Sequence, residues 1–326
     1  MQLADRYGRV ATDLRVSLTD RCNLRCQYCM PAEGLEWLPE EQTLTDDEVI
    51  RLIGVAVRRL GVTDVRFTGG EPLLRKGLPA IVAAAKQFGA RTALTTNGLG
   101  LKHLARSLAD AGLDRVNVSL DTVDPTSYTE ITRRDRLDDV ITGLEAADAA
   151  GLSPIKVNAV LLRGINDHQA PDLVAWCLVR GYELRFIEQM PLDAQHGWQR
   201  DAMVTADETL DLLSDRYRLT ALDGRGSSPA ERFLVDDGPH VIGIIGSVTR
   251  PFCGDCNRVR LTADGQVRNC LFAREEADLR TAIRNGASDT ELAERWVIAM
   301  ASKRPGHGID DPAFLQPSRP MSAIGG

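Results

Sequence analysis

The stretch Cys22-Asn-Leu-Arg-Cys26-Gln-Tyr-Cys29 places three thiols within eight residues, spaced x3 and then x2. A structural zinc site wants four ligands and usually repeats short Cys pairs. Three close cysteines without a fourth suit a cubane iron–sulfur cluster, in which three corners are tied to the chain and one iron stays open for a ligand. A zinc knuckle completed by a distant fourth ligand is the other reading of the spacing.

Outward from this triplet, strand-like and helical runs alternate over the first two thirds of the chain. Strands are expected at Leu14–Thr19, Val65–Thr68, Ala93–Thr96, Val116–Leu120, Lys156–Leu161 and Leu184–Ile187. The clearest helix is Asp46–Leu60, with Val49, Leu52, Ile53, Ala56, Val57 and Leu60 on one stripe, a Thr45/Glu48 capping box and Gly61 at its end. Further helices are expected near 77–88, 100–111, 137–150, 170–180 and 206–214. Six such units imply a parallel sheet, because parallel neighbours need a crossover. No G-x-G-x-x-G follows the first strand, which argues against a dinucleotide-binding fold.

Alternate strand residues face opposite ways. Arg15, Ser17 and Thr19 share one face, as do Arg66 and Thr68, and Asn117, Ser119 and Asp121. A closed eight-stranded barrel fills its interior with apolar side chains. Polar inward faces point instead to an incomplete (βα)6 TIM-type barrel around a ligand cavity. Residues 1–230 are assigned to it, and 231–326 to a C-terminal region. Arg185 and Met190 differ in parity, so the chain must bend if both face the cavity. Residues 191–240 read as loop-rich, with Asp223–Pro229 a surface loop, and His240–Thr249 as a strand.

The net charge of −7 argues against bulk nucleic-acid binding, so any anion site must be a local arginine cluster. No apolar run reaches the ~18 residues of a membrane span, and the N-terminus lacks a signal-peptide core. Six of the seven cysteines fall into two groups of three, a metal pattern expected in a reducing cytoplasm. The seventh, Cys177, sits in an apolar helical stretch and is expected in the core.

The second group is Cys253, Cys256 and Cys270. Asp264-Gly265 signals a two-residue hairpin turn between Val259–Thr262 and Val267–Leu271, which would pair Val259 with Cys270 and bring the three thiols together. Zinc, with His240 as a fourth ligand, competes more strongly here, since Cys-x2-Cys is common. Arg15, Arg66, Lys156, Arg258 and Arg260 crowd both sites, and arginine forks suit phosphate oxygens. Gly69-Gly70-Glu71-Pro72 directly follows the second strand, where glycines allow close backbone approach.

Taken with GGEP, the first triplet resembles radical S-adenosylmethionine (SAM) enzymes. Cys-x2-Cys-x13-Cys, Asn257–Arg260, Thr95–Gly98, Asn117–Asp121, Arg185–Glu188 followed by Met190, and the Gly325-Gly326 end resemble MoaA, the GTP 3′,8-cyclase family of molybdenum cofactor biosynthesis. The resemblance implies two 4Fe–4S clusters: Cys22, Cys26 and Cys29 hold the SAM-cleaving one, and Cys253, Cys256 and Cys270 the substrate-side one. It implies that Tyr28, Gly70, Ser119 and Met190 line the SAM site. Arg15, Arg66, Thr95, Lys156, Arg185, Arg258, Val259 and Arg260 would hold GTP, and Gly325 and Gly326 would enter the cavity. The implied reaction converts GTP and SAM to 3′,8-cyclo-7,8-dihydroguanosine triphosphate. Implied partners are an electron donor such as flavodoxin or ferredoxin and the next enzyme, cyclic pyranopterin monophosphate synthase; a homodimer is compatible with the family. Two rival readings are a radical SAM peptide-modifying enzyme, whose auxiliary regions usually carry more cysteines, and a non-catalytic zinc module, which would be colourless. On composition alone the last residues read as a mobile tail.

Overall fold

The first strand, β1 (Asp13–Ser17), ends just before the loop that carries Cys22, Cys26 and Cys29. The structure is a computed structural model and describes residues 1–326. Helix and strand then alternate through α1 (Asp46–Leu60), β2 (Asp64–Thr68), α2 (Leu78–Gln87), β3 (Arg91–Thr96), α3 (Leu101–Asp110), β4 (Arg115–Ser119), α4 (Pro125–Thr132), α5 (Leu137–Ala149), β5 (Ile155–Val160), α6 (Ala170–Arg180) and β6 (Glu183–Ile187). Beyond them lie α7 (Ala206–Ser214), β7 (Leu219–Leu222), β8 (Glu231–Val235), β9 (Val241–Ile245), β10 (Arg258–Leu261), β11 (Gln266–Arg268), β12 (Ala277–Asp278), α8 (Arg280–Arg284), α9 (Asp289–Ala301) and α10 (Met321–Ile324).

All twelve strands form one sheet, ordered β12-β11-β10-β1-β2-β3-β4-β5-β6-β9-β8-β7. The six strands β1–β6 are parallel neighbours in sequence order. β10 adds parallel to β1 and β9 parallel to β6, so eight parallel strands stand side by side. The two ends of the sheet do not pair, and the barrel stays open. Its outer face carries Leu14, Val16, Val65, Phe67, Val116, Val118, Val157, Leu184 and Phe186 into one 66-residue core beneath the helices. Helix α1 shows how locally this is encoded. Thr45 accepts from the Glu48 N–H at 3.2 Å while Glu48 accepts from the Thr45 N–H at 2.8 Å, and Val49, Leu52, Ile53, Ala56 and Leu60 are buried. Each large side chain on that stripe contributes roughly 1.5–3 kcal/mol by leaving water.

The structure corrects several expectations. Residues 191–240 are loop-rich with α7 where it was expected, but they also hold two strands that went unread: β8 pairs antiparallel with β9, and β7 antiparallel with β8. Helix α4, begun by Asp124 accepting from the Ser127 N–H and Pro125 at its first position, has no strong apolar stripe and went unread. The β10–β11 hairpin is out of the expected register by one residue. Arg260 faces Arg268 and Leu261 faces Val267, which places Cys270 across from Arg258 rather than Val259. Thr262 causes the slip: its hydroxyl accepts from the Gln266 N–H at 2.9 Å and donates to Asp264 at 2.6 Å, closing a three-residue loop with Gly265 left-handed. Asp223–Pro229 is not only a surface loop, since the Ser227 carbonyl accepts from Arg258 at 3.1 Å.

Candidate active site

Strand parity and register together build the site. All eight parallel strands present residues to one cavity of about 380 Å³, among them Arg15, Arg66, Thr95, Asn117, Asn158, Arg185, Ile245 and Arg260. Both thiol triplets open into it: Cys22, Cys26 and Cys29 on one side, Cys253, Cys256 and Cys270 on the other. Tyr28, Gly70, Ser119, Met190, Arg258 and Gly326 line it as well.

The Gly69-Gly70 segment shapes the first side. A Cβ on Gly70 would meet the Arg21 and Asp20 carbonyl oxygens at 2.3 and 2.4 Å, so only glycine lets this turn lie against the cysteine loop. The Gly70 and Glu71 N–H groups donate to Thr19 and Arg21 carbonyls, each at 2.7 Å. Glu71 is fully buried and accepts from the Leu73 N–H, Thr96 hydroxyl and Asn97 N–H at 2.9, 2.7 and 2.7 Å. Burial lifts its carboxyl to about 7 against those three donors. Asn97 in turn donates to Asn23 at 2.7 Å and to the Cys22 thiol at 3.7 Å. Tyr28 donates to Asp121 at 2.9 Å, and Asp121, also held by the Val160 N–H, is raised by burial to about 6.

The other side is cationic. Register places Arg15 between Arg66 and Arg260, so three guanidiniums start from adjacent strands about 4.8 Å apart. Arg258 stands in the next inward position, and Asp13, 3.8 Å from it, is the carboxylate nearest the group. Burial and the neighbouring Arg15 pull Arg66 down to about 9 and Arg258 to about 10, and Arg260 well below its usual range. The buried Nε atoms of Arg15, Arg66 and Arg258 have no protein partner, nor do Asn117 Oδ1 and Asn158 Oδ1. Unsatisfied donors inside a basic cavity suit a polyanionic ligand.

The donor sets fit clusters. Within each triplet the thiols sit close enough to raise one another's pKa, and burial pushes Cys29 up to about 12. Three thiolates in each triplet are the donor set of a cubane that keeps one iron open. His240, the alternative fourth zinc ligand, is exposed and remote from the cavity; His307 lines it instead.

Two expected substrate contacts are not among the cavity-lining residues. Lys156 does not line the cavity: its ammonium is held by Glu183 at 2.6 Å, and Glu183 also binds Arg185 at 2.6 Å. Val259 points away from its neighbours Arg258 and Arg260 into the core. The Arg185–Met190 parity conflict is resolved by a bend after Ile187. There the buried Glu188 leaves the strand to accept from the Ala206, Val248 and Thr249 N–H groups at 2.7–2.9 Å. The tail is not frayed: Gly326 accepts from Thr68 at 3.0 Å, Gly325 accepts from Arg260, and Ile324 is fully buried. Asp121 was expected on the inward face, whereas Glu71, Asn97, Asn158 and Glu183 had been given no role of their own. The strand parity that singled out Asn117 could have found Asn158, but the others depend on partners distant in sequence.

No helix is long and apolar enough to cross a membrane. Residues 16–177 match the radical SAM superfamily and residues 182–309 match Molybdenum Cofactor Synthesis C. Among solved structures, Streptococcus suis SuiB bound to S-adenosylmethionine aligns with TM-score 0.61 at 15% identity, covering 92% of this chain and 68% of that one. That likeness concerns the fold. A GTP 3′,8-cyclase of Streptomyces coelicolor is 63% identical, covering 99% of this chain and 96% of the relative. One of Corynebacterium glutamicum is 58% identical, with 99% and 89% covered. Identity at this level, along nearly the whole length of both chains, places the chain in the GTP 3′,8-cyclase family of radical SAM enzymes.

Proposed function

We propose that the one cavity holds SAM and GTP together, SAM on the side of Cys22, Cys26 and Cys29 and GTP against the arginines. The chain is a radical SAM GTP 3′,8-cyclase that forms 3′,8-cyclo-7,8-dihydroguanosine 5′-triphosphate in the first step of molybdenum cofactor biosynthesis. The observation that carries the placement is the in-register row Arg66–Arg15–Arg260, with Arg260 buried and Arg15 and Arg66 half-buried, mutually repelling and opening between two thiol triplets.

Cys22, Cys26 and Cys29 would hold one 4Fe–4S cluster and Cys253, Cys256 and Cys270 the other; when bound, the first would supply the electron for SAM cleavage and the second a Lewis-acidic iron on the substrate side. What the chain itself does is bind, orient and exclude water. Arg15, Arg66, Arg258 and Arg260 grip the triphosphate, with Arg185 and Thr95 on the adjoining wall. Glu183 keeps Arg185 extended along β6 and ties Lys156 down, so that Lys156 acts through Glu183. Gly70, Ser119, Met190 and the Tyr28–Asp121 pair frame SAM. Gly325 and Gly326 close the cavity beside Thr68. In this reading residues 1–230 hold SAM and supply Arg15, Arg66, Thr95 and Arg185 to the GTP side, while 231–326 supply the substrate-side cluster ligands, Arg258, Arg260 and the tail.

In this reading the electron comes from a flavodoxin or ferredoxin, and the product passes to cyclic pyranopterin monophosphate synthase. Six thiols reserved for clusters support a reducing, cytoplasmic setting. A homodimer is an expectation from the family alone. Reduced, reconstituted protein incubated with SAM and GTP should yield the cyclised nucleotide and 5′-deoxyadenosine. SAM cleavage without change to GTP would overturn the placement of GTP.

A further inference from the structure

Behind the second triplet lies a cation that the substrate site does not use. Lys303 is 3% exposed. Its ammonium donates to the Arg258 carbonyl at 2.9 Å, the Cys256 carbonyl at 3.3 Å and the Cys256 thiol at 3.4 Å. None of these acceptors is a carboxylate. A lysine is almost never buried this deeply without an anionic partner, because desolvating its charge is costly. Here the partner is a ligand sulfur.

The contrast with Arg9 is informative. Arg9 clasps the same loop, donating to the Cys253, Pro305 and Arg304 carbonyls at 2.6, 2.9 and 2.5 Å. Its charge, however, is answered by buried Asp5 at 2.5 Å. Arg9 is a neutralised clamp, whereas Lys303 is an unanswered charge. Its backbone is also fixed: α9 is anchored through fully buried Trp296 and Met300, and Asn269 donates to the Ala299 carbonyl at 2.8 Å.

We propose that Lys303 is the fixed counter-charge of the substrate-side cluster, its ammonium bound to the Cys256 sulfur and setting that cluster's reduction potential. Each electron added to a cluster adds negative charge, so a cation on a ligand sulfur stabilises the reduced form more than the oxidised one. The potential therefore falls when the cation is removed. Lys303 is a positioning and tuning residue and need not touch GTP.

The inference rests on the reading that Cys253, Cys256 and Cys270 hold a cluster, which the iron count of the unmodified protein tests separately. The decisive experiment is an EPR-monitored redox titration of the reconstituted full chain, with SAM added to distinguish the first cluster, which then serves as internal reference. In Lys303→Gln, which can still donate to the two carbonyls, the reduced-to-oxidised ratio of the second cluster should fall about tenfold at a given potential, a midpoint about 59 mV lower. Lys303→Arg should keep the native value, and the first cluster should not move in either variant. An unchanged second midpoint in Lys303→Gln, with both clusters present, overturns the proposal. Loss of the second cluster from Lys303→Gln but not from Lys303→Arg supports it, whereas loss from both overturns it. About four irons per chain in the unmodified protein would overturn it together with the reading beneath it.

Discussion

The hydroxyl of Thr68 donates to the main-chain oxygen of Gly326 at 3.0 Å, joining residues 258 positions apart in the chain. Gly325, at φ +86°, fits only because it lacks a side chain: a Cβ would lie 2.7 Å from Thr68 Cγ2 and 3.2 Å from Ser17 Cβ. Gly325→Ala should therefore strain the docked tail by about 1–3 kcal/mol, enough to undock it in most molecules. Product formation should drop roughly tenfold or more while SAM cleavage continues. Deleting Gly325 and Gly326 should do the same. Full activity in either variant would make the tail a bystander.

The two triplets should separate by iron content. Replacing Cys22, Cys26 and Cys29 by Ala should reduce iron from about eight to about four per chain and abolish SAM cleavage. Replacing Cys253, Cys256 and Cys270 should also leave about four, but spare some SAM cleavage while eliminating the cyclised nucleotide. Retained SAM cleavage in the first variant would reverse the assignment.

The arginine row makes the ligand-free protein carry a repulsion that a triphosphate relieves. Inorganic tripolyphosphate should raise the thermal midpoint, by an amount equivalent to about 2.7 kcal/mol at a hundred times its Kd, and less at high salt. Arg258→Ala or Arg260→Ala should weaken GTP binding roughly ten- to a hundredfold, since each removes charge-assisted bonds worth about 1.5–3 kcal/mol. Arg66→Met should weaken GTP too, yet stabilise the ligand-free chain. Equal affinity for guanosine and GTP, measured by calorimetry, would show that these side chains do not grip phosphate.

Glu71 predicts a pH dependence. Its folded pKa of about 7 lies above the ordinary 4.5, so between those values the folded state holds a proton that the unfolded state has lost. This contribution is fully favourable below pH 4.5 and is lost as pH rises through 7, to a limit of about 3 kcal/mol. Wild type should thus lose stability relative to Glu71→Gln across pH 4.5–7 in urea unfolding of the cluster-free chain. A difference that stays flat with pH would remove the assigned burial penalty. Glu71→Gln should also loosen Asn97, because one amide oxygen cannot accept from all three donors.

Arg9→Lys should test the neutralised clamp. A lysine cannot reach three carbonyls and Asp5 in the same fork geometry. The second cluster should then be lost faster on exposure to chelator, while the first persists. Equal loss of both would show that Arg9 supports the fold as a whole.

What could be read in the sequence was what neighbouring residues decide. Helix α1 is set by Thr45, Glu48, an apolar stripe and Gly61, all within seventeen positions, and it appears where expected. Strand parity alone brought Arg15, Arg66, Asn117 and Ser119 inward. The hairpin failed by one residue because the Thr262 side chain, not the Asp264-Gly265 pair, decides its loop length. Lys156 looked available for substrate because Glu183, its partner in the cross-strand register, could be matched to it only after β5 and β6 were aligned. Arg9 and Lys303 reach the second triplet from opposite ends of the chain, and no local pattern marks either.

The parallel seating of β10 on β1 has a consequence for how the protein is made. On the ribosome β1 is among the first elements to emerge, but the strand that covers its free edge is not complete until residue 261. For some 240 residues of synthesis, roughly 12–48 s at 5–20 residues per second, that edge remains an open template carrying Arg15. An uncovered strand edge invites pairing with other chains. The same guanidinium that waits for a triphosphate in the finished enzyme gives the nascent edge a charge that discourages a second nascent copy from docking there. A fragment ending before β10 should therefore associate more than the full chain, whose edge is covered, but less than the same fragment carrying Arg15→Val.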